Sequence, residues 1–419
     1  MIVWLLAGYI WLFVHRPQEW FSLFAAGRVV LLYMICVTLV WLLGWMSNQD
    51  NKRPLGNIFT LAVLFYTLAI TVAALFSPYM NILENDDWWA WLRYVLIFVI
   101  MMTSIKTERD LKIVVTTFIV AFFLWMAHSY RGYLQGNAFY SAGAYRIRPV
   151  GTTFTNANDY GTMIVCALPL LVPLVTLCKR YWHYLFVLGY ILLALRSVLL
   201  TGSRGSLVML ATLAILPVLF SRHRFKLIPI ICIAFQVGWF AMTDEMQNRY
   251  RTLWDSSISE EANKNLQGRA DGFYGGWTNW SNYPIFGVGP GQHGPALGQN
   301  LRSHNLIGEV VGEMGTVGAF TFLFMLSCFG LNHYNIWKNY KYLQEKNLGK
   351  EGLYCWRVSL AIVYAVIMLQ LQGLSLHTAY WYHWLWFGAF QALAVQIMQE
   401  KVNDATQGKL LPSQRTTKR

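Results

Sequence analysis

Three short runs carry side chains whose types and spacing suit chemistry. The first is Ser303-His304-Asn305, which opens an apolar block bearing Glu309 and Glu313 one turn apart. Imidazole titrates at about pH 6.5, so a neutral His304 suits proton abstraction near neutral pH. A helix N-terminus lowers that pKa and keeps the ring basic, whereas a carboxylate such as Glu309 raises it. A histidine that only caps a helix or bonds a lipid phosphate fits the same surroundings. The second run is Thr201-Gly202-Ser203-Arg204-Gly205-Ser206, between two apolar blocks. Guanidinium suits phosphate because it forks two parallel donors and keeps its charge. The glycines admit a headgroup close to the backbone, and Ser206 is read as opening a helix whose N-terminus also favours anions. An arginine snorkelling from a tight turn is the plainer reading. The third run is Tyr145-Arg146-Ile147-Arg148-Pro149, then Gly151 to Gly161 with Asn156 and Asn158. Its amides and hydroxyls are costly to bury unpaired and suit sugar hydroxyls. They equally suit a helix start capped by Asn158 or Asp159.

Other signals are weaker. Glu84, Asp86 and Asp87 offer oxygen ligands for a divalent cation, although an exposed acidic turn is the first reading of that cluster. Arg28, Arg93 and Arg196 fall in apolar blocks, and Arg93 has Glu84 to Asp87 within reach as partners. The sequence holds no P-loop, no G-x-G-x-x-G before a strand and no H-E-x-x-H. Six cysteines are scattered without a C-x-x-C, so no zinc knuckle or redox pair is expected.

The elements that must position these groups are membrane helices. Of 419 residues, 56% are hydrophobic and 13% charged, against about 25% charged in a soluble domain. Such a composition excludes disorder, collagen and a disulfide-stapled secreted domain. Apolar blocks run over 1–14, 22–46, 57–77, 88–105, 111–128, 161–178, 184–201, 206–220, 227–243, 306–331, 357–375 and 380–398. Most have the length of a bilayer-crossing helix. The expected fold is an all-α polytopic membrane protein of about twelve transmembrane helices. The first block ends in His15-Arg16-Pro17 with no small-residue cleavage site, so it reads as a span rather than a signal peptide. With both termini in the cytoplasm, inner connections hold about twice the Lys and Arg of outer ones, as the positive-inside rule requires. The net charge of +13 is thus mostly a topology signal, and no nucleic-acid partner is implied.

Two outer connections, 129–160 and 244–305, are too long to be turns. The second carries Trp254, Phe273, Tyr274, Trp277 and Trp280, which suggests short helices at the membrane interface. The expected organisation is helices one to nine over 1–243, a periplasmic loop over 244–305, helices ten to twelve over 306–398, and a basic cytoplasmic tail over 399–419.

The order Gly151-Thr152-Thr153-Phe154-Thr155-Asn156-Ala157-Asn158, Ser203-Arg204-Gly205, Gly268-Arg269, Gly287-x-Gly289, His304-Asn305 and Gly315 resembles the O-antigen ligase superfamily. That superfamily also holds O-antigen polymerases and bacterial protein O-oligosaccharyltransferases. The resemblance implies a GT-C-like glycosyltransferase of the bacterial inner membrane, working on the periplasmic face with undecaprenyl-diphosphate glycan as donor. It implies that His304 is the base and that Arg204 and Arg269 bind the donor diphosphate. It implies inverting, metal-independent chemistry with no cofactor. Arg146, Arg148, Asn156, Asn158, Ser203, Asn305 and Glu309 are further candidates for substrate contact. The physical logic agrees, since fixed arginines stabilise a diphosphate more as its charge grows in the transition state.

His304 follows Arg269 by only 35 residues, which leaves little room for a large acceptor-docking domain. Ligation to a glycolipid acceptor, lipid A–core, is the first expectation. Polymerisation onto a second lipid-linked repeat and transfer to a protein hydroxyl are the alternatives. A transporter of an organic anion or bicarbonate is the reading from another class. It would place its polar groups near the bilayer midplane in paired repeats, and no such repeat is visible.

Overall fold

The computed structural model describes residues 1–20, 28–47, 55–141, 143–151, 156–219, 221, 224–255, 260–299 and 302–410. The helices are Ile2–His15 (α1), Val29–Ser47 (α2), Ile58–Leu75 (α3), Asp86–Ser104 (α4) and Glu108–Leu134 (α5). A hairpin of Ala138–Ser141 (β1) and Ala144–Ile147 (β2) follows, then Ala157–Ala167 (α6), Leu171–Val175 (α7), Tyr181–Thr201 (α8) and Arg204–Leu219 (α9). The second half adds Arg224–Phe240 (α10), Asp244–Arg251 (α11), Glu260–Asn282 (α12) and His293–Ala296 (α13). It ends with Leu306–Glu345 (α14), Gly349–Gly373 (α15) and His383–Thr406 (α16).

Among the described residues, each apolar block of the sequence falls largely on helix. Seven of these are long and apolar enough to cross a membrane by length and composition: α2, α3, α5, α6 continued through α7, α8, α14 and α15. Helices α1 and α9 are apolar but shorter. The helix α16 is buried from His383 to Val395 on every face, the pattern of a helix at the centre of a bundle. Others are apolar on both sides. In α3, Phe59, Tyr66 and Ile70 pack inward while Leu61, Leu64 and Leu68 are exposed. No residue of α10 is buried, yet its exposed side chains include Phe225, Ile230, Ile233 and Val237. Outward apolar faces of this kind match lipid rather than water.

Two features differ from an all-helical reading with open outer loops. The stretch 129–160 is not one loop: α5 continues to Leu134, and the β1–β2 hairpin pairs Ala138 with Ile147 and Tyr140 with Tyr145. Among its described residues the stretch 244–305 holds three helices, of which α12 has 23 residues and is far from short.

Two glycine-built joints fix this outer region. At the first, α12 crosses α14 with backbones in contact. A Cβ on Gly276 would lie 2.3 Å from Gly308 Cα, and one on Gly312 would lie 3.0 Å from Gly276 Cα. Gly272-x-x-x-Gly276 thus meets Gly308-x-x-x-Gly312, the spacing that lets membrane helices approach closely. At the second joint, Gly315 takes φ 63° and ψ −159° and breaks α14. The chain at 284–289 fills the break. Val288 N donates to Gly312 O (3.0 Å) and Gly289 N to Glu313 O (2.9 Å), while Thr316 N donates to Pro284 O (2.9 Å) and Val317 N to Ile285 O (3.2 Å). Backbone groups freed by the elbow are therefore satisfied by another segment, as a low-dielectric setting demands.

Candidate active site

Helix α8 ends at Gly202, whose φ of 58° is the left-handed conformation that favours glycine. Space demands glycine there too, because a Cβ would lie 2.7 Å from Arg249 Nε. Ser203 Oγ accepts from Ser206 N at 3.3 Å, so it caps the next helix. That helix, α9, begins at Arg204 and not at Ser206. Arg204 Nη1 donates to Thr252 Oγ1 at 3.1 Å, just beyond α11. Arg204, Gly205, Thr252, Arg269 and Ser375 line one cleft of about 240 Å³. Whole-ligand pockets run from about 300 to 1,000 Å³, so this cleft suits a headgroup rather than an entire glycolipid.

Arg269 sits on α12, and the glycine crossing sets its distance from the start of α14. Burial, followed by the like charges of Arg204 and Arg249, holds its guanidinium below its ordinary value. Arg249 lies on α11 and donates through Nε to Gly202 O (2.7 Å) and through Nη1 to Ser141 O (3.3 Å). It ties the hairpin to the turn that presents Arg204. Sequence reasoning missed Arg249.

His304 adopts φ 46°, an uncommon conformation for a residue with a side chain. Its neighbours hold it there. Ser303 Oγ donates to Gly272 O (3.2 Å) and Asn305 O (2.9 Å), and Asn305 Oδ1 accepts from Gly308 N (3.0 Å) as the cap of α14. The His304 ring lies 5.2 Å, centroid to centroid, from His377 in the connection between α15 and α16. Burial, then the charges of Arg269 and Arg302, push the His304 pKa below its ordinary value. His377 is pushed down to about 3 by burial, then by Arg302 and His304. Both rings are therefore neutral near pH 7, and His304 is able to accept a proton.

The remaining sequence candidates divide. Arg146 is buried, donating through Nε to Thr201 O (2.5 Å) and through Nη2 to Asn158 Oδ1 (2.7 Å). This pair braces β2 against α8 and α6, so both residues are committed to the protein. Asn156, not Asn158 or Asp159, is the cap of α6, accepting from Asn158 N at 2.8 Å. Arg148 is exposed. Ser203 and Asn305 serve as caps, and Asn305 Nδ2 also donates to Leu374 O (3.1 Å). Glu309 is 3% exposed and accepts from Ala379 N at 2.8 Å, so it anchors the connection that carries His377. Glu313 does similar work, accepting from Gly291 N (2.7 Å) and Tyr380 Oη (2.8 Å). Arg28 precedes α2 rather than lying inside it, and Arg196 reaches Ala241 O at 3.1 Å. Asp87 pairs with Arg302 at 3.3 Å, not with Arg93. Thr152 to Thr155 and the tail from 411 lie outside the described residues.

The fold and the site together define a multi-pass helical membrane protein with an arginine-lined cleft beside a neutral histidine. Residues 189–323 match the model of a family described as O-antigen ligase, and the match supports the O-antigen ligase and polymerase superfamily for this chain. The matched stretch contains Arg204, Arg249, Arg269, Arg302 and His304. No curated protein matches the chain.

Proposed function

We propose that this protein transfers a glycan from undecaprenyl diphosphate to an acceptor hydroxyl, most simply joining O-antigen to lipid A–core. The observation that carries the reading is the shared cleft of Arg204 and Arg269, with His304 within the field of Arg269. In this mechanism the two guanidiniums hold the donor diphosphate, and His304 takes the proton of the acceptor hydroxyl. The acceptor oxygen then attacks the anomeric carbon from the face opposite the diphosphate, which leaves with inversion. Charge on the leaving group grows along this path, so fixed arginines favour the transition state over the bound donor. No metal takes part in this proposal.

The proposed membrane organisation follows the earlier reading. Both termini are cytoplasmic, 1–243 holds helices one to nine, 244–305 lies on the periplasmic side, 306–398 holds helices ten to twelve, and 399–419 is cytoplasmic. Helix α12 supports an interfacial position for its segment: Arg269, Phe273, Trp277 and Trp280 share one stripe at helical spacing. Along that stripe the Phe273–Trp277 and Trp277–Trp280 ring centroids are 6.1 and 5.5 Å apart. Such a stripe suits the headgroup boundary of an inner membrane.

The test uses purified protein in nanodiscs with a short undecaprenyl-diphosphate glycan. Lipid A–core, a lipid-linked repeat and a serine-containing peptide are offered separately, with EDTA and His304→Ala controls. Transfer to lipid A–core that survives EDTA and vanishes in His304→Ala is the expected result. Transfer only to the repeat or the peptide replaces ligation by polymerisation or protein glycosylation. Full activity in His304→Ala removes the base. A protein that neither binds the donor nor transfers from it belongs with the transport reading instead.

A further inference from the structure

Two groups of charge meet at His304. Arg204 and Arg249 act on Arg269, which in turn acts on His304. Arg302 also acts on His304, pairs with Asp87 from α4, and acts on Asp159 at the start of α6. Arg302 reaches Asp87 by one contact of 3.3 Å, with side chains 51% and 20% exposed. An ion pair this long and open is weak and easily exchanged. Among the described residues it uses Oδ1 of Asp87 and one nitrogen of a guanidinium with five N–H donors. Asp159 Oδ1 is buried without a hydrogen-bond partner among the described residues, a costly arrangement that a hydroxyl donor would relieve.

The position of this group is built rather than incidental. Asn85, the cap of α4, donates through Nδ2 to Pro290 O at 2.8 Å. That bond fastens α4 to the loop whose Gly291 N is held by Glu313. A Cβ on Gly291 would lie 2.4 Å from Asp87 Oδ2, so glycine there lets the carboxylate pack against backbone. Arg302 is two residues from His304 in the chain and shares its field.

We propose that Asp87, Arg302 and Asp159 form the acceptor subsite, and that it takes an uncharged sugar through adjacent hydroxyls. The inference rests on the transferase reading and specifies which acceptors it uses. In-line displacement requires contacts for the acceptor near His304 apart from the arginines that hold the diphosphate, and Arg302 acts on His304 while pairing with Asp87. Carboxylates accept from neighbouring hydroxyls and a guanidinium donates to ring or hydroxyl oxygens, the complement of a sugar edge. A phosphate at the same place would meet the Asp87 carboxylate beside the arginine and be held less well than a neutral sugar.

The experiment uses the full protein in nanodiscs with an undecaprenyl-diphosphate trisaccharide as donor. Decyl glucoside and its phosphate monoester form the matched acceptor pair, and lipid A–core runs beside them. Where decyl glucoside is not used, lipid A–core supplies the acceptor KM. The neutral acceptor is expected to have the lower KM of the pair. Asp87→Asn and Asp159→Asn, each nearly isosteric, are expected to raise acceptor KM at least tenfold while donor KM stays unchanged. Arg302→Lys keeps the charge, loses the fork and should raise acceptor KM by less. An unaltered acceptor KM in both Asp87→Asn and Asp159→Asn overturns the inference. So does preference for the phosphate monoester with selective loss of that preference in Arg302→Lys, which makes Arg302 an anion site. Transfer by the unaltered protein keeps the transferase reading standing in either case. Absence of transfer to every acceptor removes that reading and this inference with it.

Discussion

Gly272→Ala tests whether the α12–α14 crossing sets the distance between Arg269 and His304. A Cβ at this position would lie 1.5 Å from Ser303 O, the carbonyl next to His304. Ordinary contact begins at 3.4 Å, so the helices must part by about 1.9 Å. Arg269 lies one turn before Gly272 and moves with it, away from His304, the proposed base, which Ser303 and Asn305 hold. A misplacement of about 1 Å costs on the order of 10²-fold in rate, equivalent to about 2.7 kcal/mol of barrier. Overpacking costs stability as well, about 1–3 kcal/mol, partly offset by the better helix propensity of alanine, up to about 1 kcal/mol. The assay is kcat for glycan transfer by monodisperse protein, with the thermal unfolding midpoint measured alongside. Gly268→Ala is the control, because a Cβ there meets nothing within 4 Å. It should keep full activity. Full kcat and an unchanged midpoint in Gly272→Ala would refute the claim that this crossing positions the two groups.

Arg204→Ala and Arg269→Ala each remove charge-assisted hydrogen bonds worth about 1.5–3 kcal/mol, so donor KM should rise roughly 10- to 100-fold. An unchanged donor KM dismisses the diphosphate role. The proposed base must be neutral to act, and the His304 pKa lies below its ordinary value through burial and then through Arg269 and Arg302. The acid limb of kcat/KM should therefore fall below pH 6.5, and Arg302→Gln, which removes a neighbouring positive charge, should move it upward; a limb above 6.5 in the unaltered protein contradicts this. Gly315→Ala forces a side chain into the φ 63° elbow with its Cβ 2.4 Å from Ile285 O. A stability loss of about 1–3 kcal/mol should appear as a lower unfolding midpoint, and an unchanged midpoint would mean that the elbow is free to relax.

Local pattern made part of this architecture legible. The helices follow from apolar blocks of membrane length, and Arg204, Arg269 and His304 stand out through the order of Ser203-Arg204-Gly205, Gly268-Arg269 and His304-Asn305. What escaped depends on distance along the chain. Arg249 matters because it meets Gly202 O across 47 residues, and Arg302 because Asp87 lies 215 residues away. Nothing local marks either. The anchoring contact of Glu309 escapes for a related reason: a glutamate one turn beyond a histidine looks like part of a site, and nothing local shows that Ala379 N bonds to it across 70 residues. The hairpin has strands of four residues, too short for an alternating pattern to show. The Gly272, Gly276, Gly308 and Gly312 spacing was present in the sequence, but only the pairing of the two helices gives it meaning.

The arginine cluster has a physical cost that bears on mechanism. Arg204, Arg249 and Arg269 carry like charges in a partly desolvated region, and Arg269 is held below its ordinary value as a result. Flexible side chains would separate to reduce this repulsion. Here they are constrained, because Arg249 is fastened to Gly202 and Ser141, Arg204 starts a helix and bonds Thr252, and Arg269 rides on a helix crossing at backbone contact. The repulsion is therefore already present when an anion arrives, and binding relieves it. Relief grows with the negative charge placed in the cleft, so in the proposed reaction a departing diphosphate would gain more than a glycan-bearing donor. Preorganisation of this kind lowers a barrier because the charges need no rearrangement when the bond breaks. Arg269 also reaches His304 and, after burial and together with Arg302, disfavours its protonation, so an arginine that would stabilise the leaving group would also keep the proposed base free. In the proposed mechanism one set of fixed charges would thus serve both ends of an in-line displacement, with Asp87 making the proposed acceptor side less positive.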